Sequence, residues 1–323
     1  MPNLKQKLCS VAFAALCTVV AADARAEDTL KVAVGQLTTW ENQATLIGQD
    51  AGIFKKHGLM LENFGTNGAG ETLQAVISGS ADIGIGMGTP GAMRAFVRGA
   101  PVRVLTPAFT GTGDLYWYVR AESPIKSLKD TTPSQTIAYS TNGSSTNSLV
   151  LGFGKELGMK AKPTATGGPP ATLTAVMSGQ IDIGWASPPF GLREIDAGKI
   201  RVLARGSDVP STRNQTVRVQ IVNANVLKER KDVIVRFMKA YREAVAWMYD
   251  NPQALKMYAA KMKIPEDLIA KGLPQSHPRS AMQMDGLSDV DGILTDAVAN
   301  KFLEKPMTRE QLAEFFPFPN LGK

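Results

Sequence analysis

The 323-residue chain is poor in the residues that usually carry catalysis or metal binding. It has two cysteines, Cys9 and Cys17, both near the start, and two histidines, His57 and His277. Cysteine spacing therefore offers neither a disulfide framework nor a thiolate zinc site. Neither histidine has a Cys or His beside it, so no metal site and no cofactor is expected. No G-x-x-x-x-G-K-S/T phosphate loop and no G-x-S-x-G elbow occurs. The glycines at 84, 86 and 88 and those between 65 and 70 lack the strand-to-helix setting of a dinucleotide fingerprint. No nucleophile with an adjacent base can be assembled, so an enzyme is not expected. The formal charge is +7, but no block of five or more Lys/Arg appears, and nucleic acid is not an expected partner.

What is present begins with an export signal. Lys5 and Lys7 precede an apolar run over 8–22, and Ala24-Arg25-Ala26 supplies a small-x-small cleavage pattern. The run is too short for a bilayer span, which needs roughly 20 residues. Cleavage after Ala26 would leave 33 basic and 28 acidic residues and no cysteine. Cys17 sits in mid-run after Leu16 and Cys9 comes too early, so neither suits lipid attachment. The expected product is periplasmic, is not itself membrane-spanning and is a monomer.

The remainder, 44% hydrophobic overall, alternates strand and helix patterns. Strands are expected at 30–35, 59–64, 81–86 and 102–105, with a helix over 41–57 and others after 70 and 89. The pattern then recurs: strands at 135–140, 181–186 and 200–203, a polar loop over 141–145 with a helix following it to about 157, and a helix over 170–178. The recurrence extends to residue identity. Leu73, Ala75, Val76, Ser78, Gly79, Asp82, Ile83 and Gly84 reappear 100 positions later as Leu173, Ala175, Val176, Ser178, Gly179, Asp182, Ile183 and Gly184. A period of 100 is too long for a solenoid and reads as two similar α/β lobes. The β-rich runs 115–120 and 217–222 are expected hinge strands. A long amphipathic helix over 227–249 should begin a tail that packs back on the first lobe. The domain expectation is 1–26 leader, 27–114 with 223–323 lobe one, and 115–222 lobe two.

Several segments carry a family resemblance: AGIFKKHGL at 51–59, SGSADIGIG at 78–86, SPIKSLKD at 123–130 and FMKAYREAVAWM at 237–248. This series resembles the periplasmic solute-binding proteins of ABC importers, in the branch binding nitrate, sulfonates, taurine and the pyrimidine precursor of thiamine. The resemblance implies a type II periplasmic-binding fold. Two α/β lobes are joined by two hinge strands, and a small-molecule solute is trapped in the cleft for delivery to a permease and its ATPase.

In open α/β sheets ligands lie beyond the carboxyl ends of the strands. That rule selects four loops and thirteen residues: Thr38, Thr39 and Trp40; Met87, Gly88 and Thr89; Asn142, Gly143, Ser144 and Ser145; Trp185, Ser187 and Pro188. The Asn-Gly-Ser-Ser run opens a helix, where unpaired N–H groups and the helix dipole favour an anion, or where the serines simply cap. Trp40 and Trp185 could wall an apolar ligand body or belong to the core, with Met87 and Phe109 in the same role. A sulfonate or carboxylate on a short alkyl or aromatic body fits this set. The alternative is a neutral or cationic heterocycle, which would ask for acidic partners such as Glu41 and Asp114, and a sensor role is equally compatible. No cation for an anionic ligand is evident; Arg94, Arg98 and Arg193 follow cleft loops, with surface exposure their ordinary state.

Overall fold

The computed structural model describes residues 27–282 and 284–318. The expected leader, 1–26, lies outside the described residues. The first part of the chain runs β1 (Asp28–Gly35), α1 (Ala44–Asp50), α2 (Ile53–Lys56), β2 (Leu59–Thr66), α3 (Ala69–Ile77), β3 (Ile83–Gly88), α4 (Thr89–Val97) and β4 (Val102–Thr110). The repeat follows as β5 (Tyr116–Arg120), β6 (Thr136–Tyr139), α5 (Ser145–Leu157), β7 (Lys162–Ala165), α6 (Pro169–Met177), β8 (Gly184–Ala186), α7 (Leu192–Asp196) and β9 (Ile200–Arg205). The chain returns through β10 (Thr216–Asn223) into α8 (Ala224–Glu229), α9 (Lys231–Asp250), α10 (Pro252–Met262), α11 (Glu266–Ser276), α12 (Val290–Ala299) and α13 (Arg309–Phe315).

Two sheets result, and they share one plan. The first has the order β2-β1-β3-β10-β4, with β10 antiparallel to both neighbours. In the second, β6 pairs with β7, and β5 lies antiparallel between β8 and β9. A parallel bridge from Ile137 to Ile183 joins these pieces, giving β7-β6-β8-β5-β9. Each sheet thus takes its one antiparallel strand after the chain has crossed over. This corrects one expectation: β10, assigned to lobe two, is hydrogen-bonded inside the first sheet.

Local chemistry accounts for other departures. The helix expected over 41–57 is broken because Gly52 adopts φ 76°, a conformation glycine enters without a Cβ penalty. The single helix expected over 227–249 is two, parted at Arg230. Strand β7 was not expected; its KPTA sequence is mostly exposed, and Pro163 suits an edge.

The tail covers both faces of the first sheet. On one face α9 packs against α1 and α2, with Phe237 stacked between Phe54 (5.7 Å) and Tyr241 (5.8 Å). A Cβ on Gly48 would meet that of Ala244 at 2.6 Å, so this helix crossing needs the glycine. On the other face Phe315 packs on Phe96 of α4 (5.3 Å). Among the described residues no helix is long and apolar enough to cross a membrane.

The two lobes are closed on each other. The Gly70 N–H donates to Thr141 Oγ1 at 2.9 Å, and Arg193 donates to the Lys263 carbonyl. Gly88 and Gly91 face Gly143 so closely that an added Cβ would lie 2.3 and 2.5 Å from its carbonyl oxygen.

Candidate functional site

The short helical turn Trp40–Asn42 after β1 brings Glu41 inward. The segment after α11 brings His277, β10 brings Arg218, and the crossover between β4 and β5 brings Asp114. All four side chains are buried, Arg218 at 5% exposure and Asp114 and His277 at 0%. Glu41 Oε2 lies 2.9 Å from His277 Nε2. Arg218 Nη2 donates to Asp114 Oδ2 at 2.7 Å, and its Nε is 3.9 Å from Glu41 Oε1. The guanidinium carbon sits 4.4 Å from the centre of the Phe109 ring, and His277 meets the same ring edge-on at 5.6 Å.

Burial alone would raise Glu41, but Arg218 and His277 outweigh it and hold the carboxyl at about 2. Burial raises Asp114, Glu41 adds to that, and Arg218 does not cancel it. Asp114 Oδ1 and Arg218 Nε have no hydrogen-bond partner, nor do the buried hydroxyls of Thr112 and Ser187. Buried polar atoms are ordinarily paired, so Asp114 Oδ1, fully buried and without a partner, is a candidate contact for a bound group.

Arg218 also links the lobes. Its Nη1 donates to Ser145 Oγ at 3.3 Å, and Ser145 is the first residue of α5. The neighbouring Ser144 does what capping chemistry asks: its Oγ accepts from the Asn147 N–H at 3.1 Å. Asn142 is exposed and accepts from the Tyr139 hydroxyl, while Gly143 forms the tight lobe contact. Ser145 is thus the residue of that loop joined to the charged cluster.

The other expected site residues are placed as follows. Thr38 is half-buried; its carbonyl accepts from the Tyr258 hydroxyl at 2.6 Å, and its own hydroxyl has no partner. Thr39 Oγ1 donates to the Gln36 carbonyl and accepts from Asn42. Trp40 lies in the first-lobe core, edge-on to Tyr249 (6.0 Å) and Tyr258 (5.1 Å). Met87 is in the core beneath α4, and Thr89 Oγ1 donates to the Thr216 carbonyl at 2.6 Å. Trp185 is in the second-lobe core, Ser187 is buried, and Pro188 is half-buried. The two tryptophans are therefore packed by protein, because the tail aromatics and the β5 sheet reach them first. Arg193 is exposed and bound to the tail, whereas Arg218 is buried and reaches from the first sheet to the second lobe.

Sequence reasoning passed over Arg218 and His277. A signal for Arg218 exists: with Gln220 it interrupts the apolar run VRVQIV, and a polar residue in a strand buried on both faces needs a partner. Gln220 finds its own in the Gly86 N–H and the Tyr241 hydroxyl. No local signal marks His277, which meets a residue 236 positions away.

Solved structures show the same fold. The alkanesulfonate-binding protein SsuA of Xanthomonas axonopodis pv. citri, bound to MOPS, matches at TM-score 0.70 and 16% identity, over 84% of this chain and 90% of that one. The aliphatic sulphonate binding protein SsuA of Escherichia coli matches at 0.65 and 20%, over 89% and 91%. The nitrate-binding protein NrtA of Synechocystis PCC 6803 matches at 0.67 and 15%, over 88% and 84%. The Escherichia coli and Synechocystis proteins are periplasmic binding proteins, and at such identities the likeness speaks to the fold. No curated protein matches in sequence. The family model described as NMT1/THI5 like matches residues 41–255, and the chain belongs to that family.

Proposed function

We propose that this protein is the periplasmic solute-binding component of an ABC importer, taking a small anionic solute into the cleft and presenting it to a permease and its ATPase. The observation that carries this reading is Arg218, a buried cation on the first sheet that reaches Ser145 at the start of α5 in the second lobe. A guanidinium, a hydroxyl and the unpaired N–H groups of a helix start together suit a sulfonate or carboxylate. Sulfonate- and nitrate-binding proteins on the same fold support the class. The solute stabilises the closed arrangement because only there do both lobes touch it. No step of this cycle asks for covalent chemistry, so the role is that of a binder, not an enzyme.

A second reading has its own observation. Asp114 Oδ1 is buried without a partner, and Glu41 is ionised beside it. A neutral or cationic heterocycle with N–H donors, such as a pyrimidine, would satisfy both. A thermal-shift screen with alkyl and aryl sulfonates, aromatic carboxylates and aminopyrimidines separates the two, since a bound solute adds stability by mass action. The anion reading expects the acids to raise the melting temperature. Shifts with uncharged heterocycles alone would replace it with the second reading.

A further inference from the structure

In the buried cluster Asp114 has one polar atom tied down and one left over, and Glu41 and His277 turn toward each other. His277 Nδ1 is 2.9 Å from Ser276 Oγ, which leaves Nε2 toward Glu41. Asp114 Oδ2 receives Arg218, which leaves Oδ1 with no partner in a side chain at 0% exposure. Glu41 directs Oε2 at His277 and Oε1 toward Arg218. One ligand-capable atom from each of Glu41, Asp114 and His277 lies within 4.8 Å of the other two.

We propose that Glu41, Asp114 and His277 form a binding site for a divalent metal ion of the zinc class, with a fourth position left for the solute's anionic group. One imidazole nitrogen and two carboxylate oxygens make a donor set suited to a borderline dication, and three protein ligands with one open position is the pattern of a reactive zinc site. Metal–ligand distances near 2.1 Å put tetrahedral ligand atoms roughly 3.4 Å apart, so atoms already within 4.8 Å of one another need to shift by about 1.4 Å at most. The supporting contacts already stand behind them. Ser276 holds the far nitrogen of His277, and its hydroxyl reaches the Gly272 carbonyl at 2.9 Å. Arg218 holds the far oxygen of Asp114, as outer-sphere partners of ligating carboxylates do.

Charge sets the ion's role. Two carboxylates and one guanidinium sum to −1, so the anion reading is completed by a further positive charge. A dication brings the sum to +1, which a single anionic group then neutralises. Arg218 opposes the ion at close range, and the second carboxylate together with the solute offsets it. The ion enters by displacing the proton between Glu41 and His277, when the lobes part. This role toward the solute rests on the solute-binding function proposed above; uptake of the ion by solute-free protein does not.

The test uses full-length mature protein stripped with a chelator. Zn2+ alone is titrated by calorimetry, and Co2+ alone is followed by its visible absorption, which reports tetrahedral N/O ligation. The chain has only two histidines, so His57→Gln is the control and His277→Gln the test. Expected are one site per chain, intact in His57→Gln, lost in His277→Gln, and weakened about 10–100-fold in Ser276→Ala, a change small enough to keep the fold. No uptake by the wild-type chain, uptake abolished by His57→Gln, or uptake indifferent to both His277→Gln and Ser276→Ala would each overturn the site. Zinc uptake with no solute response across the screen leaves the ion site standing and removes the solute-binding function proposed above; the opposite result removes the ion alone.

Discussion

The two lobes carry the same fastenings and different chemistry. In lobe one Thr66 and Thr72 meet hydroxyl to hydroxyl at 2.6 Å, and Asp82 accepts the Lys31 N–H at 2.8 Å. One hundred residues on, Thr166 and Thr172 meet at 2.6 Å, and Asp182 accepts the Thr136 N–H at 2.8 Å. These bonds fix how each helix returns to its sheet, and they explain why both lobes carry Thr and Asp at these positions rather than apolar side chains alone. The loops beyond the first strand of each lobe differ. Lobe one places Glu41 there and draws in His277 from the tail. Lobe two offers hydroxyls and a helix start. The frame is duplicated; the charge belongs to one half and to the crossover.

The largest effect should come from Arg218→Met. It strands Asp114 and Glu41 in the core, and breaking a buried pair in this way costs about 3–5 kcal/mol. Urea denaturation measures it, and a loss below about 1 kcal/mol would mean the cluster is hydrated and the lobes less unequal than they look.

Gly88→Ala should come next, on closure more than on folding. The added methyl meets the Gly143 carbonyl at 2.3 Å, so the lobes must part. Small-angle scattering should report a larger radius of gyration with an unchanged melting profile, and an unchanged radius would refute the tight closure.

Acid should separate the carboxylates by sign. Glu41 lies at about 2, below its ordinary 4.5, so its contribution is complete above 4.5 and is lost as pH falls toward 2. Asp114 is raised, so the folded state holds its proton more tightly and stability declines as pH climbs past the ordinary 3.8. Stability measured against pH should lose its acid step in Glu41→Gln. In Asp114→Asn it should lose the opposing decline.

The smallest effects test the duplication itself. Thr72→Val and Thr172→Val each remove one threonine pair and should cost about 1 kcal/mol. Values agreeing within about 0.5 kcal/mol would make the fastenings equivalent. A clear inequality would show that the tail supports lobe one where nothing supports lobe two.

The legible parts of the fold were those written locally. The 100-residue echo, the strand-helix alternation and the glycine stops all act within a few residues, and the sheets follow them. The exchange of β10 into the first sheet is a long-range pairing with no local mark, and its apolar sequence suits either sheet. The four loops were chosen from strand direction alone, and the tryptophans beside two of them are packed in the cores, Trp40 against the tail and Trp185 within the second lobe. Glu41 and Asp114 came into view only as partners for an alternative ligand. Arg218 was readable as a polar residue in a buried strand. His277 was not, because its neighbours are assembled by tertiary structure.

The stretch past the long helix has a consequence for anyone trimming this molecule. The hydroxyl of Tyr258 ties down the Thr38 loop, and His277 reaches Glu41, both from beyond residue 255, where the family match stops. A shortened version ending there would keep every strand of both sheets while the cradle lost its floor. It would also lose α11, α12 and α13, whose Ile269, Ile293 and Phe315 are core residues.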